Sequence, residues 1–111
     1  MINIQFTRED STIVSVEISG HAESGPYGYD LVCAAVSALS IGTVNSLIQI
    51  GKLSLDVETT GEDGGYLRFA LPKQLTEKQA VTADILLESL YLSLISTEEE
   101  YGKHVKVVTL T

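Results

Sequence analysis

Cys33 is the only cysteine of the 111-residue chain, and the histidines are two, His21 and His104. A thiol supplies one kind of chemistry readily: as thiolate it attacks an electron-poor carbon. An imidazole can take the thiol proton first and hand it to a leaving amine afterwards. Eleven residues separate His21 from Cys33, and they read AESGPYGYDLV. A segment with two glycines and a proline can fold back, so the sequence permits the two side chains to meet.

The elements around them are legible. Ile2, Ile4 and Phe6 alternate with polar residues, as do Val14, Val16 and Ile18, with a polar Arg8 to Ser11 segment between. That pattern predicts an antiparallel hairpin ended by Gly20. HAESGPYGY then reads as an exposed loop, with Asp30 as the cap of a helix running from Leu31 to about Ile50 and stopped by Gly51. Small residues in its first half, Ala34, Ala35, Ser37, Ala38 and Gly42, predict close approach of neighbouring elements. Leu53, Leu55 and Val57, then Leu67, Phe69 and Leu71, alternate across a turn-rich segment and predict a second hairpin. Thr76 with Gln79 has the form of a capping box opening a second helix, which carries Val81, Ile85, Leu87, Leu90, Leu94 and Ile95. Val105 to Leu110 forms a last strand. The expected fold is α+β, a mixed or antiparallel sheet of about five strands with two main helices in the order ββαββαβ, as one domain over residues 1–111.

On this frame Cys33 is the third residue of the first helix, where unpaired amides and the helix dipole favour a thiolate and could hold an oxyanion. It could equally be a small residue packed on an apolar helix, as free cysteines commonly are. His21 could be the base or could only bond a neighbouring carbonyl. His104, in the charged segment before the last strand, suits a solvated turn better. Asp30 could orient His21 as well as cap the helix, and Ser37, one turn beyond Cys33, shares its face and could bond thiolate or substrate. Glu98, Glu99 and Glu100 suit a solvated helix end.

Composition narrows the setting. Hydrophobic residues at 44% and charged residues at 20% are ordinary for a globular domain. A lone cysteine forms no internal disulfide, and with two histidines it makes a poor zinc ligand set, so no metal and no cofactor are expected and a reducing cytoplasm fits. The net charge of -8 disfavours direct nucleic-acid binding and suits a basic partner, although a negative surface also serves solubility. Leu31 to Ile50 lacks charges, but Ser37, Ser40, Thr43, Asn45, Ser46 and Gln49 interrupt it, which argues for a buried helix rather than a membrane span.

The segment GHAESGPYGYDLVCAAVSAL resembles the signature of the ribosomal-processing cysteine protease family, Prp. Gly20, His21, Gly25, Gly28, Asp30, Leu31, Val32, Cys33 and Ser37 carry the match, and TVNSL and EEEY extend it over nearly the whole chain. The resemblance implies a cytoplasmic bacterial endopeptidase that removes the N-terminal extension of a basic large-subunit ribosomal protein, the twenty-seventh of the L series. It further implies His21 and Cys33 as the catalytic pair, a substrate with aromatic residues before the cut and a small one after it, and a homodimer. Gly25 and Gly28 would make the intervening loop a flexible lid over Cys33. A non-catalytic ribosome-associated module that holds a basic peptide in the same groove is the alternative, with a purely structural oligomerisation domain behind it.

Overall fold

The computed structural model describes residues 1–20, 27–60 and 65–111, with only the helical course of 27–30. The chain runs β1 (Ile2–Glu9), β2 (Thr12–Ser19), α1 (Tyr27–Gln49), β3 (Asp56–Thr59), β4 (Tyr66–Ala70), α2 (Glu77–Glu100) and β5 (Val105–Leu110). The strands form one sheet in the order β3-β4-β2-β1-β5, antiparallel throughout except where β5 lies parallel to β1. The expected α+β class and ββαββαβ order are what the chain adopts.

The β1–β2 hairpin turns at Asp10 and Ser11, whose φ angles of 51° and 71° are both positive, as a two-residue hairpin turn matching strand twist requires. Its register shifts beside Thr7 and Arg8, so that Thr7 faces Ser15 but Arg8 faces Ile13. This irregularity changes which side chain points inward: Ile13 is fully buried, whereas Val14, expected on the buried face, is only half-buried.

One face of the sheet carries Ile2, Ile4, Phe6, Val16, Ile18 and Phe69, and both helices bury apolar residues against it. The opposite face is polar, with Glu17, Arg68 and Glu58 in register across three strands and Arg68 3.5 Å from Asp56. From α2 the buried residues are Ala83, Leu87, Leu90 and Leu94, spaced by four, three and four. Val81 and Ile85, expected inside, are exposed. Each residue turns the helix by about 100°, so both lie on the far side of that buried stripe. Tyr91 meets Phe6 edge-on at 5.1 Å, and Arg8 lies over the Tyr91 ring while forming a two-pronged bond to Glu88 at 2.6 and 3.0 Å.

The ends of α2 are well specified. Thr76 and Gln79 form the reciprocal capping box, at 3.1 and 3.0 Å, and the Gln79 amide also donates to the Lys52 carbonyl, fastening this end to the segment after α1. Near the other end, Glu98 accepts the Val107 main-chain N–H at 2.7 Å, so a helix carboxylate occupies an amide on the outer side of edge strand β5.

Two boundaries differ from expectation. Helix α1 begins at Tyr27 rather than Leu31. Gly51 does stop it, but the left-handed residue is Lys52, with φ of 57°; Gly51 is needed because a Cβ there would stand 2.7 Å from the Leu47 carbonyl oxygen. Strand β3 starts at Asp56, since Leu53 is drawn into the core by that turn, its N–H bonding the Leu47 carbonyl at 3.2 Å. Of the small residues expected to let neighbours approach, Ala35 is half-buried, but Ala34, Ser37, Ala38 and Gly42 are exposed, and a Cβ on Gly42 would meet nothing within 4 Å. Both helices are long and apolar enough, by length and composition alone, to cross a membrane, yet each contributes to the core beside the sheet.

Candidate active site

Cys33 is a free, half-buried thiol on α1, at the edge of the core. It lines a pocket of about 290 Å³ enclosed between α1 and the sheet. Helix α1 contributes Cys33, Val36, Ser37, Ser40 and Ile41; these recur every three or four residues and so form one stripe of the helix. The sheet contributes Ile2 and Ile18, and the ends of the β2 and β3–β4 segments add Gly20, Thr59, Thr60 and Gly65 to Leu67. A thiol thus opens into a mainly apolar recess large enough for a side chain of a bound peptide.

Gly20 fixes where the chain leaves the sheet. Its φ is 94°, a Cβ there would lie 2.4 Å from the Met1 carbonyl oxygen, and its N–H bonds the Gly65 carbonyl at 2.9 Å. Only glycine meets both demands. The next residue in sequence is His21, so the chain enters the segment bearing that imidazole from the wall of the Cys33 pocket.

His21 and Gly25 lie outside the described residues. Gly28 lies within α1 rather than in a loop, and Asp30, expected as the cap, is the fourth residue of that helix. Pro26 directly before Tyr27 was the available signal, because proline is favoured where helices start. With four more residues ahead of it, Cys33 is the seventh helical residue and not the third. Helix-terminus electrostatics fade beyond the first turn, so activation by the dipole is weaker than the expected boundary implied.

Ser37 is exposed and shares the pocket with Cys33. His104 does not: it belongs to a separate depression formed by residues 100–104, its main-chain N–H bonding the Tyr101 carbonyl and its carbonyl accepting from Ile2. Glu98 accepts from the main chain of β5, which gives that carboxylate a structural task. Tyr66 at the pocket rim sends its hydroxyl outward to Glu17 at 2.8 Å, a hydrogen bond that raises the phenol above its ordinary pKa. Ser40 and Gly65 were not read from the sequence as residues of the site; for Ser40 the signal was its position seven residues after Cys33, on the same face.

The likenesses to known proteins converge. Residues 1–106 match the family described as cysteine protease Prp. The ribosomal processing cysteine protease Prp of Bacillus subtilis is 38% identical over 102 residues, covering 90% of this chain and 88% of that protein. The structure of SMU.848 from Streptococcus mutans superposes with a TM-score of 0.88 at 35% identity, over 100% of this chain and 95% of that one. Prp from Staphylococcus aureus, crystallised with a covalently linked product peptide, superposes with a TM-score of 0.83 at 29% identity, over 98% and 99% of the two chains. The fold is a small α+β domain, and the family it matches is one of thiol hydrolases. The chain belongs to the cysteine protease Prp family.

Proposed function

We propose that this cysteine peptidase removes the N-terminal extension of a basic large-subunit ribosomal protein in the cytoplasm, with Cys33 as nucleophile and His21 as base. The observation that carries the reading is the placement of the half-buried Cys33 thiol and of Gly20, the residue preceding His21, in one apolar pocket. The Prp relative from Staphylococcus aureus holds a covalently linked product peptide, which supports a covalent mechanism. His21 accepts the Cys33 proton, and the thiolate attacks the scissile carbonyl carbon. The C–N bond breaks as His21 protonates the departing amine, leaving a thioester. Water, losing its proton to His21, then releases the acyl product and the imidazole returns that proton to Cys33. Ser37 bonds substrate at the mouth, and Asp30 supports the pair.

The test is cleavage of a peptide spanning the extension and the first residues of the mature ribosomal protein. Cys33→Ala and His21→Ala should each abolish it with the fold retained, and Cys33→Ser should hold peptide without turnover. Cleavage surviving either alanine variant would overturn the assignment; a Cys33 thiol that alkylates no faster than a free thiol near neutral pH would favour a peptide-binding module.

The same reading includes a homodimer. Leu31, Ile41 and Ile48 of α1 are exposed, and with Ala34, Ala38 and Gly42 they make an uncharged, closely approachable helix face of the kind two copies can share. Ile48→Asp should give a monomer in sedimentation velocity; an unchanged dimer would exclude this face.

A further inference from the structure

The rim of the Cys33 pocket closes through two glycines. Gly20, leaving β2, and Gly65, entering β4, both have positive φ, 94° and 81°, and the Gly20 N–H donates to the Gly65 carbonyl at 2.9 Å. Both line the pocket, and His21 is the next residue in sequence after Gly20. Neither glycine has a side chain with which to hold the other. A single main-chain bond at the end of a ladder opens more readily than one in its interior, so this corner keeps one geometry only with support from its neighbours.

A side-chain bond lies immediately beside it. The Tyr66 hydroxyl donates to the Glu17 carboxylate at 2.8 Å. Tyr66 follows Gly65 and pairs with Ser19, the residue before Gly20, whereas Glu17 pairs with Arg68. The phenol therefore reaches diagonally from β4 to β2 over the last rung of the ladder, and ties the two strands together one residue from the glycine pair. Arg68, opposite Glu17, lies against Asp56 and Glu58 of β3, at 3.5 and 3.8 Å, which leaves the Glu17 carboxylate to the phenol. A hydrogen bond to a carboxylate is stronger than one between neutral groups.

We propose that Tyr66 and Glu17 are positioning residues of the peptidase: their bond holds the Gly20–Gly65 corner and so sets the direction in which the chain leaves β2 towards His21. The hydroxyl is engaged on the polar face of the sheet, opposite the face that carries Ile18 and meets α1, so it acts through the corner and not on the peptide. Loosening the corner lowers the rate through geometry, because misplacing a reacting group by about 1 Å can cost about a hundredfold. The proposal deepens the peptidase reading and rests on His21 as its base; whether the bond holds the corner is measured apart from that reading.

The test has one reading for the corner and one for the reaction. Exchange of the Gly20 amide hydrogen is followed by NMR in the unaltered protein and in Tyr66→Phe, Glu17→Ala, Glu17→Gln and the combined Tyr66→Phe/Glu17→Ala variant. The same proteins are assayed for kcat and KM on the peptide spanning the extension. Tyr66→Phe and Glu17→Ala should each speed exchange at Gly20 and lower kcat by about five- to tenfold, with KM changed less than about twofold. Tm should barely move, because the bond lies on a solvated face. The combined variant should be no worse than either single one, since both delete the same bond. Glu17→Gln, whose carbonyl still accepts from the phenol, should stay within about twofold of the unaltered protein. Unaltered exchange at Gly20 overturns the clamp, whatever happens to the peptide. Faster exchange with kcat held within about twofold makes the bond a structural one and overturns its positioning role. A loss confined to KM makes the phenol a peptide contact and overturns that role as well. No cleavage by the unaltered protein overturns the peptidase reading and the positioning role with it, while the exchange rates still report on the corner.

Discussion

Replacing Gly20 by alanine should be the most damaging single-methyl change at the rim of the site. Two costs combine. With φ at 94°, an L side chain sits in a region that costs of order 1–2 kcal/mol or more. The new Cβ would also stand 2.4 Å from the Met1 carbonyl oxygen. That oxygen is main chain and cannot rotate aside freely, because the following Ile2 N–H is held by the His104 carbonyl at 2.8 Å and Ile2 is buried in the core. Either β1 shifts at its start or β2 gives up its bond to Gly65. The total should be about 3 kcal/mol, a large share of the roughly 5–15 kcal/mol that holds a domain folded. For a domain of this size the Tm should fall by roughly 10 °C. Urea unfolding followed by circular dichroism, extrapolated linearly to water, measures the loss, and peptide cleavage should drop even where the protein remains folded because His21 follows the displaced residue. A loss below about 1 kcal/mol with cleavage unchanged would refute the claim that Gly20 anchors this corner.

Gly42→Ala should act in the opposite direction: the site is open within the chain, and removing a helical glycine should raise unfolding stability by about 0.5–1 kcal/mol in denaturant titrations. Thr76→Ala should lose about 1 kcal/mol by the same measurement, since it deletes one half of the α2 capping box, and Thr76→Ser should recover most of it. The hydrogen bond from Arg8, opposed by partial burial, lowers the Glu88 carboxyl below its ordinary pKa. Its stabilisation is therefore present above the unfolded value near 4.5 and lost as pH falls through the lower folded value. Glu88→Gln should cost no more than about 1 kcal/mol at neutral pH, because the pair is partly exposed, and its difference from the unaltered protein should close in acid.

Much of this architecture is written locally. The first hairpin, the Thr76–Gln79 box and the strand from Val105 depend on alternation and capping within a few residues, and they appear where those patterns place them. What escaped depends on contacts between distant segments. Ile13 replaces Val14 inside because of an irregular pairing with β1, and Leu53 leaves the strand pattern because a left-handed Lys52 turns it under α1. Val81 and Ile85 are apolar but face away from the sheet, and hydrophobicity alone does not say which side of a helix meets its neighbour. The Cys33 position was legible as chemistry, and its family as pattern, but the helix start was misplaced by reading Pro26 as loop punctuation. Ser40 was read only as a polar interruption of the helix, because an unpartnered hydroxyl is a property of its surroundings.

The bond between Glu98 and β5 bears on how a peptidase of unfolded segments treats its own sheet. An outer strand offers main-chain groups to any extended chain, wanted or not. Here the Val105 N–H is taken by the Tyr101 carbonyl at 3.2 Å and the Val107 N–H by Glu98 at 2.7 Å, so the first half of the β5 border is already spoken for. The opposite border, β3, is four residues long, and Thr59 at its end lines the Cys33 pocket. An arriving peptide therefore finds the far border half shut and the near one ending beside the thiol.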